Sequence, residues 1–83
     1  MNVERVQELA AALQANENQC QELRDTIKVE YARLQGLLQE SNWVVTKGIE
    51  AIYKDIESLF NKKSKFESDS YNKRKELNSV LGV

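Results

Sequence analysis

Gln39-Glu40-Ser41-Asn42-Trp43-Val44-Val45-Thr46-Lys47-Gly48 is the stretch that decides the fold, because one amphipathic pattern runs up to it and another runs away from it. Upstream, Val6, Leu13, Cys20, Ile27 and Leu34 recur every seven residues, and Leu9, Leu23 and Leu37 follow members of that series by three. Such spacing is the seam of a coiled coil, with the first series at heptad position a and the second at d. Downstream, Ile49, Ile56, Lys63, Ser70 and Leu77 take a, while Val45, Ile52, Leu59, Phe66, Lys73 and Val80 take d. From Leu34 to Ile49 is fifteen residues, one more than two heptads, so a single straight helix would turn its apolar stripe out of the seam there. Ser41 and Asn42 carry side chains that cap helices and favour turns over helix interiors. The reading is a single helical hairpin over 1–83, with a helix over 3–40, a turn at 41–42 and a helix over 43–81. Its rival is one continuous helix bent at the same place, since there is no Pro and no acid three residues after either candidate cap.

Composition agrees with long helices. The 83 residues are 41% hydrophobic and 30% charged, with three Gly and no Pro. A net charge of −1 marks neither a nucleic-acid-seeking polycation nor an acidic tail. One Cys forms no intramolecular disulfide and implies no oxidising compartment. Met1-Asn2-Val3-Glu4-Arg5 opens no apolar run, and no segment approaches the ~18 apolar residues of a membrane span. A cytoplasmic chain with no cleavable signal peptide and no membrane insertion is therefore expected.

The first arm has Asn2 as its N-cap and Glu4 and Glu8 near the positive pole of the helix dipole. The second ends on Lys73, Arg74 and Lys75, followed by Gly82 as a left-handed cap. Each arm has a weak portion far from the turn, Gln14 to Glu22 in the first and Asn61 to Glu76 in the second. Folding the arms back on each other opposes residues whose numbers sum to about 83, so that weak meets weak. Ile27 then lies near Ile56, Leu34 near Ile49, Cys20 near Lys63 and Val6 near Leu77. Residues 1–42 hold seven acids and four bases, and residues 43–83 six acids and eight bases, which also favours pairing the arms. In this alignment Lys62-Lys63-Ser64-Lys65 faces Glu17 and Glu22.

A lone hairpin leaves much of this seam half exposed. Ordering some 80 residues costs on the order of 100 kcal/mol, against the ~1.5–3 kcal/mol that full burial of each Leu or Ile returns. Ala10, Tyr31, Leu38, Tyr53, Phe60 and Leu81 widen the apolar stripe to a third flank, a width that suits a four-helix bundle. The expected architecture is thus all-α, an antiparallel coiled-coil-like hairpin that pairs into a four-helix bundle with a second copy or another protein.

Few residues carry chemistry. The chain has no His, no Gly-rich phosphate loop and no Cys pair with metal spacing, so no catalytic residue, cofactor site or metal site is assigned. Cys20 lies on the seam and reads as a buried inert thiol. The basic run at 62–65 is diluted by Glu67 and Asp69, and reads as a solvated face rather than a nucleic-acid or lipid site. The residues left for a protein partner are Tyr31, Leu38, Trp43, Ile52, Tyr53, Phe60 and Phe66.

Two of these features carry a family resemblance. Trp43 directly follows the turn, and Tyr53-Lys54-Asp55-Ile56-Glu57 supplies Tyr-x-x-x-Glu on the second helix. A Trp just after the turn of a small helical hairpin resembles the WXG family of bacterial type VII secretion, and the small helical proteins that accompany LXG toxins in that system. Here Trp43-Val44-Val45 stands where that family has Trp-x-Gly. The resemblance implies two hairpins packed as a four-helix bundle, with Tyr53 and Glu57 as an export motif presented to a secretion ATPase. It also implies export without a cleavable signal peptide.

The sequence therefore supports two functions of different kinds. The first is a non-enzymatic targeting or chaperone subunit for a secreted effector of a type VII-like system. The second is a structural homodimeric coiled-coil oligomerisation module with no role in secretion.

Overall fold

A computed structural model describes residues 2–82, and statements about the structure refer to those residues. Two α-helices, α1 (Val3–Glu40) and α2 (Lys47–Leu81), lie side by side and antiparallel along an envelope of 60 × 16 × 14 Å. This is the hairpin, not the bent continuous helix. The long dimension equals the length of one arm at 1.5 Å per residue.

The seam is the one the heptads specify. Leu9, Cys20, Ile27 and Leu34 are buried on α1, and Ile49, Ile52, Ile56 and Ser70 on α2. Leu34, Ile49, Ile52 and Ile56 form the hinge-proximal core, with Leu37 and Leu38 packed against it. In the distal half Leu9, Cys20 and Ser70 are buried, and polar contacts line the margin of the seam. Asn16 donates to the Asp69 carboxylate at 2.8 Å, Lys73 donates to the same carboxylate oxygen at 2.6 Å, and Arg5 Nε reaches Glu76 at 2.9 Å.

The connection differs from a two-residue turn. It runs over 41–46, and α2 begins at Lys47 rather than Trp43. Ser41 and Asn42 do not cap α2; they finish α1. The Trp43 N–H donates to the Leu38 carbonyl at 2.7 Å, and the Asn42 N–H donates to Gln39 at 3.2 Å, which is the nested pair of a Schellman motif. Asn42 occupies its left-handed position, with φ 54°, a region its short polar side chain tolerates. The Ser41 hydroxyl bonds the Leu38 and Val44 carbonyls and closes the loop on itself. Thr46 is the cap of α2, accepting from the Ile49 N–H at 3.3 Å, and Glu50 sits in the first turn near the positive pole of the dipole. Val45, which the heptad count places at d, therefore lies outside the helix and is 65% exposed.

The other two caps are as read. The Asn2 side chain accepts from the Arg5 N–H at 3.1 Å, and Gly82 ends α2 with φ 75°. The later start of α2 moves the midpoint of the connection from between Ser41 and Asn42 to between Trp43 and Val44. Partners in the distal half slide accordingly: Asn16 meets Asp69, and Cys20 lines one groove with Ser70 instead of pairing with Lys63. Glu17 and Glu22 do not meet the basic run either. Lys63 bonds Glu67 on its own helix and Glu17 bonds Arg24 on its own, each at 2.7 Å.

Because the hinge half holds the four-residue apolar cluster, and Ser70 buries only a small polar side chain, truncations divide by position. Ile56→Ala, at a residue 1% exposed, is expected to destabilise the chain by about 2–4 kcal/mol, and Ser70→Ala by well under ~1.5 kcal/mol. Chemical denaturation followed by circular dichroism checks this, and equal losses at the two sites would refute it.

Candidate interaction surface

The positions just after d on each helix form one continuous flank of the hairpin, at heptad position e. On α1 they are Ala10, Glu17, Arg24, Tyr31 and Leu38; on α2 they are Tyr53, Phe60, Glu67, Arg74 and Leu81. Seven-residue steps keep such residues on one side of a helix, and in an antiparallel pair the two e stripes flank the seam together. Tyr31 and Phe60 stack edge to face across it, with ring centroids 6.3 Å apart. Leu38, Val45 and Tyr53 line a single groove, of about 230 Å³, over the core residues Leu34 and Ile49. Farther from the hinge, Glu17, Arg24, Glu67 and Arg74 line a second groove floored by Cys20 and Ser70. This flank is thus apolar near the turn and charged in the middle.

The opposite flank is polar and satisfied from within. Asp69 takes bonds from Asn16 and Lys73, and Arg5 bridges Glu76 and Glu8. Those bonds, chiefly to Glu76 and then to Glu8, raise the Arg5 guanidinium pKa from its ordinary value. The Lys73 and Asn16 bonds hold the Asp69 carboxyl below the usual carboxylate range, and the Lys63 ammonium does the same for Glu67.

Sequence-assigned residues fall in three places. Tyr31, Leu38, Tyr53 and Phe60 come together on the e flank, where Tyr53 is 53% exposed. Ile52 belongs to the hairpin's own core and offers no free surface, because α2 is phased so that Ile49, Ile52 and Ile56 all point at α1. Phe66 lines a groove with Asn16, Lys62, Lys65 and Asp69, on the flank opposite Tyr31 and Phe60. Tyr53 and Glu57 are one helical turn apart on α2 and both exposed. The Lys63 ammonium lies 5.7 Å from the Phe60 ring centroid while it bonds the Glu67 carboxylate at 2.7 Å, so this member of the basic run is engaged on its own helix.

Trp43 stands apart from all of these. It is 66% exposed and adopts φ 66°, a left-handed backbone that a bulky L residue enters only at a cost of about 1–2 kcal/mol. The second chain position of the Schellman motif holds it there. Val45 and the four charges of the e flank were missed as site residues, although the charges stand in the same seven-residue series as Tyr31 and Phe60.

No group of three or more His, Cys, Asp or Glu among the described residues is placed to hold a metal ion, and no helix is long and apolar enough to cross a membrane.

Two measurements check these assignments. Replacing Trp43 with Gly relieves the left-handed strain and removes a side chain that buries little, so Trp43→Gly should leave the melting temperature unchanged or raise it; a fall of several degrees would make Trp43 part of the fold. For Asp69, the unfolded chain takes up protons near the ordinary pKa of ~3.9 while the folded chain resists them. The stabilisation is present above that value and lost as pH falls through the lower folded one. Asp69→Asn should therefore flatten the loss of melting temperature between about pH 5 and pH 3, and an unaltered slope would refute the assignment.

Searches against protein-family models, curated proteins and solved structures return no match to this chain.

Proposed function

We propose that this chain is a non-enzymatic helical subunit that pairs through its e flank with a second pair of helices to complete a four-helix bundle. The observation that carries the reading is the uncovered apolar patch of Tyr31, Leu38, Val45, Tyr53 and Phe60, set on a hairpin with seven apolar side chains buried. Large aromatics on a helical face are the groups that fill pockets on a partner and dominate its binding energy. On the opposite flank the half-buried Phe66 is a single aromatic, in a groove it shares with Asn16, Lys62, Lys65 and Asp69.

Within that role we assign the chain to targeting: a chaperone-like partner of a secreted effector in a type VII-like system. The support is the exposed Trp43 in the turn, together with Tyr53 and Glu57 on one accessible face of α2. Tyr53 then serves twice, as a contact in the bundle and as the aromatic half of the export motif. Glu57 has no hydrogen-bond or ion-pair partner among the described residues, so its charge is free to be read by a receptor. The second reading, a homodimeric oligomerisation module, is favoured by the charge pattern in the middle of the flank.

The test uses the chain co-expressed with an effector bearing a helical N-terminal segment, in a bacterium competent for type VII export. Glu57→Gln is expected to leave melting temperature within about 1 °C, as for a surface substitution, and to abolish appearance of the effector in the culture supernatant. Normal secretion with Tyr53→Ala and Glu57→Gln together, in a complex shown to be intact, would remove the export assignment and leave the oligomerisation module.

A further inference from the structure

We infer that the occupant of the e flank is a second copy of this chain, related by a twofold axis that runs parallel to the hairpin, so that both turns lie at the same end of a four-helix bundle. The inference rests on the reading that the e flank is a docking face and names what docks there.

Charge and apolar order along the flank carry it. Passing away from the turn, α1 presents Leu38, Tyr31, Arg24 and Glu17, while α2 presents Tyr53, Phe60, Glu67 and Arg74. Tyr31 is level with Phe60, and Arg24 lies close enough to Glu67 to help lower its pKa. A twofold axis along the hairpin lays α1 of one copy over α2 of the other without shifting any level. Arg24 then faces Glu67 of the second copy, Glu17 faces Arg74, Tyr31 faces Phe60 and Leu38 faces Tyr53. Every acid meets a base and every apolar residue an apolar one, twice over. Opposite charges set in this way fix which faces meet and in which register.

The competing arrangement is head to tail. Its axis crosses the hairpin between the levels of Glu17 and Arg24, and it also matches acids with bases. It sets Tyr31 against Ala10 and Phe60 against Leu81, though, smaller partners than the parallel arrangement supplies, and it leaves Tyr53 and Val45 beyond the end of the partner. The aromatic part of the patch lies near the turn, with only Ala10 and Leu81 continuing the stripe at the open end, and superposing the turns buries the aromatics on one another. Area is sufficient: a face 60 Å long and 14–16 Å wide offers about 900 Å², against ~800 Å² per partner in a standard stable interface.

Charge reversal distinguishes the two geometries. Arg24→Glu alone sets acid against acid at both symmetry-related contacts with Glu67, and Glu67→Arg alone sets base against base at both contacts with Arg24. Each variant is expected to dimerise about tenfold or more weakly than the parent in sedimentation equilibrium. Mixing the two variants should restore a heterodimer to within about threefold of the parent affinity. The acid introduced by Arg24→Glu in one copy then meets the base introduced by Glu67→Arg in the other, and the unchanged Glu67 and Arg24 still match at the second contact. Since each chain in the mixture keeps its own reversed charge, repair within a chain cannot produce this result. Spin labels on Asn42→Cys in a Cys20→Ala background should lie within about 20 Å of each other, the reach of two packed helix layers and the label arms.

No restoration on mixing, or labels near the 60 Å length of the hairpin, would overturn the parallel axis. A monomer at concentrations where the helices are fully formed would overturn the second copy as occupant. In that case anilinonaphthalene sulfonate separates the two claims. Dye binding that Phe60→Ser abolishes leaves the docking face standing with a different partner, and no dye binding removes the docking face as well.

Discussion

Two helices lying side by side can each bury one narrow stripe, and that constraint governs most of what this chain does. The packing of Leu34 against Ile49, Ile52 and Ile56 gathers four buried side chains of that stripe into one cluster. It lies next to the turn, where α1 and α2 are covalently held together and the entropy of bringing the chain back on itself is smallest. Away from the turn the seam passes through Asn16, Lys63, Ser70 and Lys73, and the helices are held in line there as much by hydrogen bonds as by apolar contact. The apolar surface that two helices cannot enclose, from Tyr31 to Phe60, is left on one flank near the well-packed end.

The polar distal seam has a structural consequence of its own. Leu against Leu tolerates a slip of the helices by a turn, because an aliphatic surface reads much the same one step along. A polar group hydrogen-bonded across the seam specifies its partner. Asn16 bonded to Asp69, with Lys73 completing the carboxylate's partners, is satisfied in one register and broken in its neighbours. Arg5 with Glu76 repeats the same restriction at the open end. The hinge half thus supplies burial, and the distal half supplies alignment.

The seam was legible because it depends only on a period. Val6 through Leu37 and Ile49 through Val80 carry a seven-residue repeat that any packed helix pair must obey, and every one of those positions in the two helices is buried or half-buried. The connection was not legible in detail, because a phase slip reports that a helix breaks without saying where. Ser41 and Asn42 are suited to ending one helix and to starting another, and the structure uses them to end α1 while Thr46, four residues past Asn42, starts α2. Val45 was misplaced for the same reason, since a heptad count carried back through the turn gives it a seam position that its backbone never takes. Ile52 and Phe66 were assigned to a partner on hydrophobicity alone, a property that does not distinguish the inward stripe of a helix from either flank.

The charged part of the flank escaped because Glu17 was set against the basic run, Glu67 was taken only as diluting that run, Arg74 was taken as a base near the end of its helix, and Arg24 was given no role. What sets them apart is position: all four continue the same stripe as the aromatics and bracket the buried pair of small residues, Cys20 and Ser70. Small side chains at that point leave a groove between the charges rather than a ridge. A flat charged centre beside an aromatic end differs from a uniformly greasy face in one respect that matters for assembly. Apolar contact alone would accept many partners in many alignments, whereas alternating signs accept few, and the cost of a wrong alignment is two or more like charges brought together away from water. The flank is therefore built to discriminate as well as to adhere, and the discrimination resides in the residues that hydrophobic patterning passes over.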